Sequence, residues 1–129
     1  MAYEIPGFTF TLPSGADFTT GTAKFRFVKI NSVAKAVLVN GATPALVAGA
    51  IGVCQMSPRL NEAMTIVHNG VTFVVAGGAI PVGSMVTSDA TGRAVVAAVG
   101  NAVLGTALET ASGVGIQIAV LLDSSVAIA

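Results

Sequence analysis

The chain has 129 residues, of which 53% are apolar and 9% are charged, and its formal net charge is zero. Its length fits one domain, and its charged fraction is far below the roughly one residue in four of ordinary soluble domains. A neutral chain is not steered towards nucleic acid, and so few charges cannot cover a free surface. We therefore expect either a membrane protein or a protein whose exterior is covered by other proteins.

A membrane span is not expected. The best candidate, the uncharged stretch 36–58, contains turn-forming residues too often for a spanning helix of about 20 residues, among them Asn40, Gly41, Pro44 and Gly49. No basic segment followed by an apolar one opens the chain, so no export signal is expected. The lone cysteine, Cys54, excludes an internal disulfide and is predicted to be a small buried hydrophobe.

Residues 1–21 are predicted to form an extended N-terminal arm, followed by a single β domain over residues 22–129. Prolines and glycines interrupt the arm too often for a helix. Disordered termini are normally poor in aromatics, yet five of the six phenylalanines fall in the first 27 residues. Two interpretations remain open at this point: the arm reaches a neighbouring subunit, or it is a strand of the chain's own sheet.

Residues 22–39 have a β pattern. Lys24 and Arg26 alternate with Phe25 and Phe27, which indicates a half-buried strand with charge on one face and rings on the other. The dipeptide Asn40-Gly41 then favours a tight hairpin turn, because it tolerates positive φ angles.

Residues 64–75 give the clearest local signal. Apolar and β-branched residues flank Asn69-Gly70, which predicts a hairpin with a two-residue turn that pairs His68 with Val71 and Ile66 with Phe73. This interpretation places His68 at the hairpin tip.

The C-terminal half is predicted to contain short strands at 84–87, 93–98, 102–109 and 115–122, with a turn at 88–92 in which the Asp89 side chain bonds the backbone. Many short strands at this spacing indicate an all-β fold, a small β-sandwich or β-barrel-like domain. A faint internal repeat relates residues 52–55 and 64–66 to residues 105–108 and 116–118.

The order of several short pieces is distinctive: Gly52-Val53, Asn61-Glu62, and the segments 77–83 (GGAIPVG), 86–95 (VTSDATGRAV) and 103–108 (VLGTAL). Over residues 45–122 this order resembles a widespread family of small phage capsid decoration (head cement) proteins. The sequence departs from the family pattern at Asn61, where a glycine is expected, and at Val114, where the second copy would carry an acid.

The resemblance implies a structural virion protein, a homotrimer on the outer surface of the expanded head, with the major capsid protein as its partner. During assembly it would be in the host cytoplasm. In such proteins a terminal arm commonly reaches over adjacent capsid subunits. An arm that adds a strand to a neighbour's edge gains main-chain hydrogen bonds. The expected capsid-binding anchors are Tyr3, Ile5, Phe8 and Phe10.

Catalysis, cofactors and metals are not expected. His68 is the single histidine, and no second one accompanies Cys54 as a base or a zinc ligand. Asp89 with Gly92 lacks the further carboxylates of a calcium loop. The glycines at 77 and 78 precede no helix that would bind phosphate, and the basic residues at 24, 26 and 29 are more simply a solvated face.

The sequence therefore predicts a capsid decoration protein with no nucleic-acid or membrane partner. The alternative is another virion surface β module, such as a spike base or a carbohydrate-binding domain. The absence of Trp and the single Tyr argue against carbohydrate binding. Charge is uneven along the chain, with four basic against two acidic residues in 1–35 and two against four afterwards, which suits head-to-tail contacts between copies.

Overall fold

The protein is one curled antiparallel sheet that forms a half-barrel, which confirms the predicted all-β class. The computed structural model describes the backbone of residues 5–18, 24–43 and 50–128, and the side chains of these residues except 5–8 and 123–128. The described part contains nine strands: β1 (Ile5–Pro13), β2 (Phe27–Ile30), β3 (Ala36–Leu38), β4 (Ala50–Cys54), β5 (Ala63–Val75), β6 (Met85–Ser88), β7 (Ala94–Val96), β8 (Ala102–Ala107) and β9 (Gln117–Ile128). No helix in it could cross a membrane.

The strand β5 connects the two halves of the sheet. The strand order is β3-β2-β4-β5-β9-β8-β6-β7, and β1 pairs with β5 outside this order. The first part of β5 pairs with β1 and β4, and residues 70–75 pair with β9. A single 13-residue strand therefore belongs to both halves.

The two halves have the same topology. We call β1 to β4 with the first part of β5 (to residue 69) the N-terminal unit, and the rest of β5 with β6 to β9 the C-terminal unit. The order β3-β2-β4-β5 in one is matched by β7-β6-β8-β9 in the other. The register also agrees: Val28 pairs with Leu38 and Gly52, and Val86 pairs with Val96 and Gly105.

Gly52 of β4 and Gly105 of β8 occupy equivalent positions, because each of them lies very close to a backbone carbonyl group of the neighbouring strand. A Cβ at Gly52 would overlap the carbonyl oxygen of Val67, and one at Gly105 would lie 2.5 Å from that of Leu121. The internal repeat noted in the sequence is thus confirmed at residues 52 and 105. In the second strand of the repeat, the sequence alignment is two residues out of register. The structure matches Met64 with Ile118, since Leu12 pairs with Met64 in one unit as Val74 pairs with Ile118 in the other.

The hairpin turns of the two units are also alike. In the 31–35 turn, the Asn31 Oδ1 accepts hydrogen bonds from the N–H groups of Val33 and Lys35, at 3.1 and 2.9 Å. In the 89–93 turn, the Asp89 Oδ1 accepts them from Thr91 and Arg93, both at 2.9 Å. The predicted turn at Asp89 is confirmed, and Asn31 makes the same turn in the other unit.

One position in these turns distinguishes the two units. The fourth residue of the turn is Ala34 in the 31–35 turn and Gly92 in the 89–93 turn, with φ angles of 60° and 81°. An L-residue with a Cβ in this left-handed region is strained, whereas glycine is not. The same relation holds for Asn61 and Gly115, at φ 64° and 86°, which explains why a glycine is expected at position 61.

Apolar side chains form two clusters. The smaller one belongs to the N-terminal unit and contains Phe18, Val28, Ala36, Cys54, Met64 and Ile66, with Phe10 and Leu12 of β1 packed against it. The larger one joins the core of the C-terminal unit, with residues such as Val86, Ile118 and Val120, to Phe27, Val53 and Val67 of the N-terminal unit. The sheet of the N-terminal unit is therefore buried on both faces.

The predicted hairpin over residues 64–75 is wrong. Asn69 and Gly70 lie inside β5, which runs on through them. Residues 63–71 and 70–75 already have β1 and β9 as partners, so a continuous strand satisfies more backbone groups than a tight hairpin would. Gly70 has a positive φ of 92° and lies at an irregularity of β5, where the pairing with β1 shifts register.

The predicted hairpin at Asn40-Gly41 is also wrong. The strand before it, β3, pairs with β2 and not with the next strand β4, since β2 lies between them. Residues 40 and 41 begin a longer connection, part of which lies outside the described residues.

Ala34 and Gly92 allow a matched test of the duplicated turn. We expect Ala34→Gly to raise the free energy of unfolding by about 0.5–1 kcal/mol, because it relieves left-handed strain at a smaller entropic cost. Gly92→Ala should lower it by about 1–3 kcal/mol, because its Cβ would be strained and would lie 2.9 Å from the Phe27 carbonyl oxygen. Urea denaturation followed by circular dichroism measures both free energies of unfolding. A change of the same sign for the two substitutions would contradict the equivalence of the two turns.

Candidate interaction surface

The single histidine lies in the middle of β5 and not at a turn. The Nδ1 of His68 is 2.9 Å from the carbonyl oxygen of Ile51, to which it donates, and its ring meets that of Phe10 edge-on with centroids 6.1 Å apart. His68 is half-buried. These contacts connect three strands, so the geometry gives His68 a structural role between β1, β4 and β5.

Cys54 is fully buried in the smaller cluster, as predicted from the sequence. Burial raises the pKa of its thiol to about 11, although a hydrogen bond with the Met56 backbone acts in the opposite direction. The Sγ lies 2.6 Å from the carbonyl oxygen of Met56. At neutral pH the sulfur is therefore a protonated thiol, which is a poor nucleophile. Within the residues that the structure describes, no group of His, Cys, Asp or Glu is arranged to hold a metal ion.

The basic residues near the start of the domain do not form the predicted alternating strand. Strand β2 begins only at Phe27, and Phe25 lies in a turn with φ 59°, its ring edge-on to that of Phe73 at 5.9 Å. Arg26 donates to the carbonyl oxygen of Thr91 at 3.2 Å, and Lys29 to the side-chain oxygen of Asn40 at 3.0 Å. The Lys24 Nζ lies 5.1 Å from the centroid of the Phe25 ring, so the three basic side chains contact different parts of the fold.

Asp89 and Arg93 form an ion pair, with a distance of 2.8 Å between the Arg93 Nε and the Asp89 Oδ2. Desolvation raises the pKa of the Asp89 carboxyl, but hydrogen bonds from Thr91 and Arg93 and the charge of Arg93 outweigh it and hold the pKa below its ordinary value. This pair stabilises the 89–93 turn, which lies against the N-terminal unit. The Phe27 N–H donates to the Gly92 carbonyl oxygen at 2.8 Å.

The N-terminal segment is a strand over most of its described length. Residues 5–13 form β1, which pairs with β5. This part of the predicted arm is therefore a strand of the chain's own sheet, which was one of the two interpretations left open by the sequence. Of the four expected anchors, Tyr3 lies outside the described residues, Ile5 and Phe8 lie on β1, and Phe10 packs against the smaller cluster.

The strand β1 lies outside the main strand order, with β5 along one of its edges. Apart from β5, no described strand pairs with β1, and a single bridge joins Ser14, just after it, to Ala36 of β3. Thr9, Thr11 and Pro13 of this strand are exposed. An edge with unpaired backbone groups is the feature to which another protein can add a strand.

A second surface is the outer face of the C-terminal unit. Met85, Thr106 and Leu121 lie side by side across β6, β8 and β9, because Met85 pairs with Thr106 and Thr106 with Leu121. Met85 and Leu121 are exposed. Sequence reasoning missed this face, since the short strands show no polar and apolar alternation that would mark it as outward-facing.

The comparisons with known proteins identify a family and a solved structure of similar fold. A family model described as "Phage cement protein" matches residues 17–122. The head fiber gp8.5 N base of bacteriophage phi29 has a similar fold: a TM-score of 0.69 and 18% identity, covering 92% of this chain and 95% of that chain. No curated protein matches the sequence.

The lowered pKa of Asp89 predicts an acid-sensitive turn. A carboxyl with a folded-state pKa below its unfolded value of about 3.9 stabilises the fold above that value, and this contribution is lost as the pH falls through the folded-state pKa. We expect the wild type to lose more stability than Asp89→Asn between pH 6 and about 2.5. At pH 6 the substitution itself should cost no more than about 1 kcal/mol, because asparagine keeps the turn, as Asn31 does.

Urea denaturation at a series of pH values measures this difference. Asp89→Ala is the matched control, since it also removes the Oδ1 acceptor and should cost about 1–2 kcal/mol across the whole range. Parallel pH profiles for the wild type and Asp89→Asn would contradict the assignment.

The raised pKa and the burial of Cys54 predict slow thiol chemistry. We expect Ellman's reagent at pH 8 to modify the native protein about 100-fold more slowly than the protein in 6 M guanidinium chloride, because reaction needs an exposed thiolate. Comparable rates in the two conditions would show that the smaller cluster opens readily.

Proposed function

Since the chain belongs to the phage cement protein family, we propose that it is a decoration protein that binds the outer surface of the expanded phage head and stabilises the lattice of the major capsid protein. Its family makes it a structural protein of the phage head. The observation that carries the proposal is the family match over 17–122, which covers most of the described fold.

The surface of the domain supports this proposal. Only 9% of the residues are charged, and large apolar side chains such as Val33, Leu60, Val82 and Val114 are more than half exposed. A surface with so few charges and these exposed apolar side chains suits a protein whose exterior is partly covered by partners. A partner that binds only the expanded lattice stabilises that state by mass action, which is the physical meaning of cementing.

We propose the N-terminal segment as the part that binds the capsid. The edge of β1 that faces away from β5 would accept a strand of a major capsid subunit, with Tyr3, Ile5 and Phe8 as apolar anchors. Phe10 packs into the chain's own core, so its contribution is to hold β1 in place. This assignment is narrower than a free arm, because residues 5–13 are already held in the chain's own sheet as β1.

A second candidate function is the base of a spike or fibre on the head. The similarity to the phi29 head fiber base, which spans nearly the whole of both chains, favours it. The two functions differ in their effect on the head: a cement protein raises the temperature at which heads break open, whereas a fibre base can bind without doing so. Calorimetry of heads with and without the protein separates them.

Binding to heads tests the main proposal. Purified protein added to expanded heads that lack it should occupy regular surface positions in electron micrographs, and unexpanded heads should bind it far less. Failure of the wild-type protein to bind expanded heads would contradict the function itself.

Substitutions in β1 test the binding segment separately. We expect Thr9→Lys with Thr11→Lys to weaken head binding by about tenfold or more, because exposed lysines on an edge strand oppose the addition of another strand. Val99→Lys, on a fully exposed turn, is the matched control and should bind normally. Unchanged binding by the folded double variant would show that β1 is not the contact.

A further inference from the structure

Equivalent faces of the two units differ in burial. In the N-terminal unit, the row Phe27, Val53 and Val67 crosses β2, β4 and β5. In the C-terminal unit, the same places are held by Met85, Thr106 and Leu121. The first row is buried, with Phe27 and Val67 at 2% and 1% exposure, while Met85 and Leu121 are exposed at 50% and 45%.

The C-terminal unit covers the buried row. Phe27, Val53 and Val67 are part of the larger cluster together with the core of the C-terminal unit. The 89–93 turn reaches over β2, where Gly92 accepts a hydrogen bond from the Phe27 N–H and Thr91 accepts one from Arg26. The molecule thus contains one complete example of how a unit covers this face of another unit.

The 89–93 turn, which covers the buried row, has an exposed counterpart in the N-terminal unit. The 31–35 turn of the N-terminal unit matches the 89–93 turn in its hydrogen bonds. Ser88, just before the 89–93 turn, is fully buried, while its counterpart Ile30 is exposed, as is Val33 within the turn. Each copy therefore presents exposed apolar side chains in two places: Met85 and Leu121 on the C-terminal unit, and Ile30 and Val33 at the 31–35 turn of the N-terminal unit.

Charge distribution agrees with contact between these two ends. Up to residue 69 the chain has five basic and three acidic residues, and from residue 70 it has one basic and three acidic residues. The two units therefore carry net charges of +2 and −2. Opposite charges on the two contacting units favour association of one copy's N-terminal unit with another's C-terminal unit.

We propose that a second copy of this chain covers the Met85 and Leu121 face, its 31–35 turn taking the place that the 89–93 turn takes within one chain. The contact is head-to-tail, so it generates a closed ring where the rotation closes and a filament where it does not. The proposal rests on the proposed decoration function only in so far as the homotrimer implied by the family resemblance needs a contact surface, and solution mass tests it independently of head binding.

Two single substitutions on opposite sides of the contact provide the test. Sedimentation equilibrium of the wild type should give a multiple of the 12.8 kDa chain mass. Leu121→Glu and Val33→Glu should each raise the dissociation constant by about tenfold or more, because a charge would be buried in the contact. Val99→Glu, at 96% exposure on another turn, is the control and should associate normally.

Mixing the two variants gives the decisive result. A Leu121→Glu copy retains a normal 31–35 turn, and a Val33→Glu copy retains a normal face, so an equimolar mixture can form one intact contact per pair. We expect dimers of twice 12.8 kDa and no larger species. A wild type that remains monomeric at 100 μM, or variants that associate like the wild type while keeping its unfolding midpoint, would overturn the proposal.

Discussion

The structure depends on the pairing of β5, which belongs to both units. Its first part pairs with β1 and β4 and its second part with β9, so its backbone groups are satisfied only when both units are present. The larger apolar cluster then draws on side chains from both units. Neither unit is an independent domain, because each one supplies the cover or the partner strand that the other lacks.

Within this frame, the two units have diverged in side chains while keeping their hydrogen bonds. The Phe25 N–H donates to the Cys54 carbonyl oxygen as the Gly83 N–H does to that of Ala107, at 2.7 and 2.8 Å. Phe25, like Ala34 and Asn61, has a positive φ, and each of these residues has a glycine at the equivalent place in the C-terminal unit. The N-terminal unit therefore holds non-glycine residues in a strained conformation at these three places, where the conserved pattern of hydrogen bonds fixes the backbone.

The sequence predicted best those features that depend on neighbouring residues. The turn at Asp89 and the strands β6 to β8 follow from local turn chemistry and β-branched residues, and they are present in the structure. The equivalent turn at Asn31 escaped prediction because Ala34 stands where glycine would have marked it. Asn31 itself was the available signal, since asparagine can bond the backbone ahead of it as Asp89 does.

Features that depend on distant pairing could not be predicted from the sequence. Asn69-Gly70 has the chemistry of a hairpin turn, but β1 and β9, far away in the chain, offer β5 more hydrogen bonds as a continuous strand. The N-terminal segment was equally ambiguous, because an extended arm and an edge strand need the same residues. The exposure of Met85 and Leu121 also has no signal in the local sequence. It arises because the C-terminal unit covers the equivalent face of the N-terminal unit, while its own face is left exposed.

The low charge content acquires a physical meaning when the two proposed contacts are combined. A ring of copies joined through the Leu121 face would present several β1 edges to the lattice at once. Each edge alone can then bind weakly, because the first contact raises the effective concentration of the others. Charges on these surfaces would oppose both contacts through desolvation, so a chain with few of them suits a protein that works only as part of a larger shell.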